Sequence, residues 1–130
     1  MRGGLKKDLL WSNPSPSAEF GGQSVSCDLS DYDYIYIRYV NSTTATSQIN
    51  DVLYDIEKIN VSSSSVALLY AGMLSFMNGS STNIRIRPVR IVNRANVTFY
   101  AGRLVNGGES NVNNRYCIPL EIYGVKGTIQ

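Results

Sequence analysis

The 130-residue chain contains no histidine. That absence removes the commonest general base, the usual base of a nucleophilic triad and the commonest ligand of catalytic metals together, so hydrolase and metalloenzyme readings lose most of their support. Charge is scarce as well. Only 17% of residues are charged, and the formal net charge of +2 is too small to select a nucleic acid or a membrane by electrostatics alone. No apolar run approaches the length of a bilayer span, and the opening MRGGLKKDLL has basic residues without the apolar segment of a secretion signal. Neither membrane insertion nor a signal peptide is expected. The two cysteines, Cys27 and Cys117, have neither metal-motif nor CxxC spacing and are expected as buried free thiols.

What the chain has is Ser, Thr, Asn and Gly in abundance, nine tyrosines, and short apolar alternations at period two. Residues 1–8 read as a flexible lead-in and 9–130 as one domain. QSVSCDLS alternates Val25, Cys27 and Leu29 against Ser24, Ser26 and Asp28, a strand buried on one face. In DYDYIYIRYV, Ile35, Ile37 and Tyr39 share the face suited to a core, while Tyr34, Tyr36 and Arg38 line the other. Residues 49–60 allow a helix, but their β-branched content and shortness favour a strand. VALLYAGMLSFMN reads as a strand buried on both faces, bent or bulged at Gly72. In NIRIRPVRIV the apolar positions change phase after Ile86, which suggests a break or bulge at Pro88 with Arg85, Arg87, Arg90 and Arg94 turned to solvent or to a subunit contact. GRLVNGGESNVNNR reads as the longest polar loop, and Pro119 in YCIPLEIYGVK as an edge or bulge position. About eight strands at short spacing imply an all-β, jelly-roll-like, single antiparallel β-sandwich.

Chemistry-bearing constellations are weak. Asp31 with Asp33, and Asp55 with Glu57, are carboxylate pairs of the kind a glycosidase uses, but any acidic strand gives such pairs, and no enzymatic role is expected. Asp28, Asp31 and Asp33 lack the ordered loop spacing of a calcium motif. No phosphate loop is present. No cofactor, catalytic residue or metal site is expected. Four Asn-x-Ser/Thr sequons, at Asn41, Asn60, Asn78 and Asn96, read as turn chemistry. A nucleic-acid reader would pair the arginine stripe with exposed rings, for which Tyr36 or Tyr100 could serve, but cations on a solvent face or at a subunit contact opposite Asp or Glu are ordinary, and no nucleic-acid partner is expected.

The opening LLWSNPSPSAEFGGQSVSCDLSDYDYIYIRY and the closing YCIPLEIYGVKG resemble the start and end of a domain common in phage and prophage tail-fibre and receptor-binding proteins. The positions that carry the resemblance are Leu10, Trp11, Asn13, Ser15, Pro16, Phe20, Gln23, Val25, Leu29, Ser30, Tyr32 and Asp33, then Ile118, Pro119, Ile122, Tyr123, Gly124, Val125 and Lys126. Cys27 stands where that pattern has an aliphatic residue, and Glu121 where it often has Lys. The match covers roughly residues 9–40 and 116–126.

The resemblance implies a tail-tip or shaft domain in the virion, made in the bacterial cytoplasm, homotrimeric, in contact with other tail or virion proteins, and attaching to a host surface polysaccharide or glycan without catalysis. The alternative of another class is a trimeric structural or assembly domain that binds no ligand of its own. For a glycan, the segment 103–115 and the loop 41–50 are the first places to look, since sugar recognition combines a ring with planar amide and guanidinium groups. The candidates are Tyr100, Arg103, Asn106, Glu109, Asn111, Asn113, Asn114 and Arg115.

Overall fold

The computed structural model describes residues 5–56, 68–77, 79, 83–92 and 94–127. These form ten strands, and no helix occurs among the described residues: β1 (Leu5–Ser12), β2 (Gln23–Ser26), β3 (Tyr34–Ser42), β4 (Ile49–Asp55), β5 (Leu68–Met77), β6 (Asn83–Val92), β7 (Asn96–Phe99), β8 (Arg103–Asn106), β9 (Glu109–Val112) and β10 (Tyr116–Gly127). All pairings are antiparallel. One sheet has the order β1-β10-β3-β4. The other runs β2-β7-β6-β8-β9, with β5 on the free side of β6. The expected all-β sandwich is present, with ten strands where the sequence suggested about eight.

The core lies between the sheets. Ile35 and Ile37 of β3 and Ile122 of β10 meet Val89 and Ile91 of β6 and Val97 and Phe99 of β7, all fully buried. Their alternation is the period-two burial of a strand with one face on a core. Tyr39 is also buried, and its hydroxyl donates to the Ser75 carbonyl at 2.8 Å, tying β3 to β5 across the sandwich. Residues 49–55 are a strand, as favoured; residues 57–60 lie outside the described residues. The bulge at Gly72 is present as a register shift between Tyr70 and Gly72, but β5 is not buried on both faces, since Met73, Ser75 and Met77 are exposed.

The chain's two ends hold each other through β10, which lies between β1 and β3. After β1 the chain turns on Asn13, whose side-chain amide donates to the Pro119 carbonyl and whose side-chain oxygen accepts from the Ser15 amide, each at 2.8 Å. That geometry is an Asx turn fastened to β10. Trp11 and Phe20 then close on each other, with ring centroids 6.1 Å apart, and Phe20 meets Phe99 edge-on at 5.6 Å.

Three expectations need correction. Residues 5–8 are not a lead-in: they pair in register with Gly127, Lys126, Val125 and Gly124, because β10 is long enough to offer them a ladder. Residues 103–112 are not a loop but the hairpin β8–β9, turning at Gly107 and Gly108; Gly107 has φ 61°, which glycine adopts without steric cost. β6 has no phase slip. Arg85, Arg87, Val89 and Ile91 are all buried on one face, and Ile84 and Ile86 are only partly buried. Pro88 sits where β6 changes partner from β8 to β7, a place where a missing N–H costs no ladder bond on that side. Pro119 does mark a bulge, with the β10–β3 register shifting between Pro119 and Glu121, but β10 is not an edge strand.

Candidate functional site

The arginine stripe is structural. Arg87 is fully buried and donates from Nε to the Cys117 carbonyl at 2.8 Å, from Nη1 to that of Tyr100 at 2.8 Å, and from Nη2 to those of Tyr116 at 2.9 Å and Asn114 at 3.3 Å. Its guanidinium also lies 5.3 Å from the Phe20 ring centre. Burial lowers the Arg87 pKa to about 10, which leaves it cationic at neutral pH. Arg94 does the same work elsewhere, donating to the carbonyls of Ile56, Leu29 and Tyr32. Arg90 donates to the Tyr100 hydroxyl at 2.7 Å, and Arg85 lies 4.7 Å over the Tyr116 ring. The expectation that these four arginines turn to solvent or to a partner fails because the fold supplies acceptors inside: backbone carbonyls for Arg87 and Arg94, and the side chains of Asn83 and Tyr100 for Arg85 and Arg90, whose buried Nε atoms have no acceptor among the described residues. The one sequence signal was the apparent phase slip itself: reading back from Ile91 and Val89 at constant parity puts Arg87 and Arg85 indoors.

The eight sequence-derived candidates divide in two. Tyr100 accepts from Arg90 at its hydroxyl and from Arg87 at its carbonyl; Arg103 donates to Ser110 within the hairpin; Asn113 accepts from the Arg115 amide; and Asn114 accepts from the Gly102 amide. These four are committed to shaping the segment. Asn106, Glu109 and Asn111 are exposed on the hairpin without side-chain hydrogen bonds among the described residues, and Arg115 is exposed 5.9 Å from the Tyr116 ring. The hairpin therefore offers amides and a carboxylate on a rigid base, with no tyrosine between them. In the loop 41–50, Asn41 bonds Gln48 and Asn50, so its polar groups are largely spent on each other.

The outer face of the β1-β10-β3-β4 sheet is richer. Cross-strand register places Leu9, Tyr123, Tyr36 and Leu53 in one row spanning all four strands. Leu9 is 53% and Leu53 45% exposed. The Tyr36 and Tyr123 rings lie 5.7 Å apart, tilted by 45°. The Lys7 ammonium stands 4.6 Å from the Tyr123 centre and 5.2 Å from that of Tyr36. Beside them is a largely apolar hollow of about 320 Å³ lined by Lys7, Tyr36, Leu53 and Val125.

The neighbouring row is polar. Arg38 and Glu121 form an ion pair at 2.8 Å, both partly exposed, and they wall a second hollow of about 230 Å³ with Ser12, Asn13, Pro16 and Leu120. The Tyr36 hydroxyl donates to Asp51 at 2.7 Å, which raises the tyrosine's pKa and keeps it a neutral phenol. Rings, guanidinium, carboxylate and carboxamide thus share one open face. The sequence did show the tyrosine ladder; it did not show that β10 would supply Tyr123 and β1 would supply Lys7 to the same spot.

Of the three aspartates that lack calcium-motif spacing, Asp28 and Asp31 are exposed and Asp33 is partly buried. Asp28 caps the Ser30 amide and hydroxyl, hydrogen bonds that lower its pKa, and Asp33 accepts from the Gly127 amide at 3.1 Å. Among the described residues no three of His, Cys, Asp and Glu come together as a metal site. Glu57 lies outside the described residues. Cys27 and Cys117 are both buried and unpaired. Comparison of the chain with protein-family models, with curated proteins and with solved structures finds no match.

Proposed function

We propose that the chain is a non-catalytic attachment domain of a phage tail fibre or receptor-binding protein, holding the virion to a glycan on the host surface. The observation that carries this reading is the outer face around Tyr36 and Tyr123, where two tyrosine rings lie beside the Arg38–Glu121 pair on strands rather than on loops. A sugar presents an apolar C–H face and a rim of hydroxyls, and such a surface matches both. The resemblance of residues 9–40 and 116–126 to tail-fibre domains supports the same reading.

The test is affinity electrophoresis through gels containing bacterial envelope polysaccharides. Retardation of the chain by at least one of them, lost in Tyr36→Ala/Tyr123→Ala, is the expected outcome. Equal mobility in every gel would sink the reading.

A second reading, a trimeric spacer with adhesion performed elsewhere on the fibre, is favoured by Met73 and Met77 on β5 and Val112 on β9, which are 45%, 64% and 58% exposed. Side chains of that kind suit contacts between copies or with other tail proteins. A spacer would ignore every polysaccharide yet sediment as a trimer.

A further inference from the structure

We infer that the ligand of this face is an acidic polysaccharide, a uronate-bearing chain whose carboxylate is taken by Lys7 while its sugar ring lies against Tyr36 and Leu53. This inference rests on the attachment reading above and names its ligand class.

The first observation is the shape and lining of the hollow. At about 320 Å³ it falls at the small end of the range of ligand sites, and its walls are nearly all apolar apart from the Lys7 ammonium. An apolar floor with one cation at the rim selects an amphipathic ligand with a single negative group.

The second observation is charge. Lys7 forms no ion pair among the described residues. Its ammonium is held by the quadrupoles of two rings, which fix its position without consuming its three hydrogen-bond donors. One position along the same strand pair, Lys6 and Lys126 are direct cross-strand partners and both exposed, and by strand alternation they project to the opposite side of the sheet. The cation of this pair of strands that stands on the Tyr36–Tyr123 face is Lys7.

The nearby carboxylates do not cancel it. Glu121 is taken by Arg38, Asp51 by the Tyr36 hydroxyl and Asp8 by the Tyr32 hydroxyl. Asp55 is on β4, with β10 and β3 between it and β1. The face as a whole thus offers stacking in the middle and one unneutralised lysine, Lys7, at one end.

Three uronate polymers, polygalacturonate, hyaluronate and alginate, serve as probes, each beside its carboxyl-reduced neutral counterpart, with binding read by titration calorimetry at low and at physiological salt. The expected result is that at least one polymer binds, that carboxyl reduction weakens it about tenfold or more, and that Lys7→Gln does the same with a flatter salt dependence. Lys7 is exposed on an edge strand, so this variant is expected to keep the wild-type melting temperature, which the same samples report. Binding that survives carboxyl reduction and Lys7→Gln unchanged would overturn the acidic ligand and leave glycan attachment standing. No binding to any of the three, with retention by a neutral envelope polysaccharide, would overturn it equally. No binding to any glycan, acidic or neutral, would take down both.

Discussion

Arg87 brings a positive charge into a site that is fully shielded from water and has no carboxylate partner among the described residues. Four carbonyls do the solvation instead, and three of them, at Asn114, Tyr116 and Cys117, belong to the run that leads from the β8–β9 hairpin into β10. Gly102 is part of the same packing: a Cβ there would lie 2.6 Å from the Asn113 carbonyl oxygen and 2.9 Å from Nη2 of Arg87. Arg87→Met leaves these acceptors without donors at about 1–3 kcal/mol each, so a loss of at least about 3 kcal/mol is expected in urea unfolding. Arg87→Lys should recover only part of it, because a point ammonium cannot span the fork. Tyr32 and Gly124 make a second close fit, since a Cβ on Gly124 would meet the Tyr32 ring at 2.5 Å. Gly124→Ala is expected to cost about 1–3 kcal/mol and to disturb the Tyr32–Asp8 hydrogen bond, visible as a shifted tyrosine signal in near-ultraviolet circular dichroism.

The thiols give a pH signature at the same scale. Burial pushes Cys27 from 9.0 up to about 11 and Cys117 up to about 12. The folded chain therefore keeps protons that the unfolded chain sheds once the pH passes about 9, so stability is full below that pH and falls as pH rises toward 11. The urea midpoint should drop between pH 8 and pH 10, less steeply in Cys27→Ala/Cys117→Ala, and neither thiol should react with an aromatic disulfide reagent in the native protein at pH 8.

At the scale of elements, β2 and β3 were legible because their apolar residues alternate, whereas the LKKD start of β1 carries no apolar period and reads as a lead-in, and β4 is favoured as a strand only over a competing helical spacing. The hairpin β8–β9 was not legible, because all four residues of β9 are exposed and carry no hydrophobic period; register, not burial, makes it a strand. β6 misled for the opposite reason: its buried face begins with two arginines, and apolar-inward counting reads that as a change of phase. Of the candidate site, Tyr36 and Arg38 could be read from one strand, whereas Tyr123, Lys7 and Leu53 reach the same face only through pairings between strands distant in the sequence, β10 with β3 and β1 with β10, and across the β3–β4 connection. The hairpin turn makes its own prediction. Gly107→Val forces a β-branched residue into φ 61° and is expected to destabilise the β8–β9 turn, seen as faster amide exchange confined to residues 103–112.

For the whole molecule, the residues that carry the tail-fibre resemblance coincide with the contacts that join the chain's ends: Trp11 and Asn13 against the start of β10, and Tyr32 and Asp33 against its close. Such a frame presents the β1-β10-β3-β4 face as a single rigid surface, which suits an adhesin repeated around a fibre axis. A trimer by light scattering at micromolar concentration is the state this reading expects. The measurement that bears most directly on the attachment claim is amide chemical-shift mapping of the 14.3 kDa chain during titration with a polysaccharide that retards it. The account predicts shifts clustered at Lys7, Tyr36, Arg38, Leu53, Glu121 and Tyr123; shifts confined to the β8–β9 hairpin, with that face silent, would contradict it.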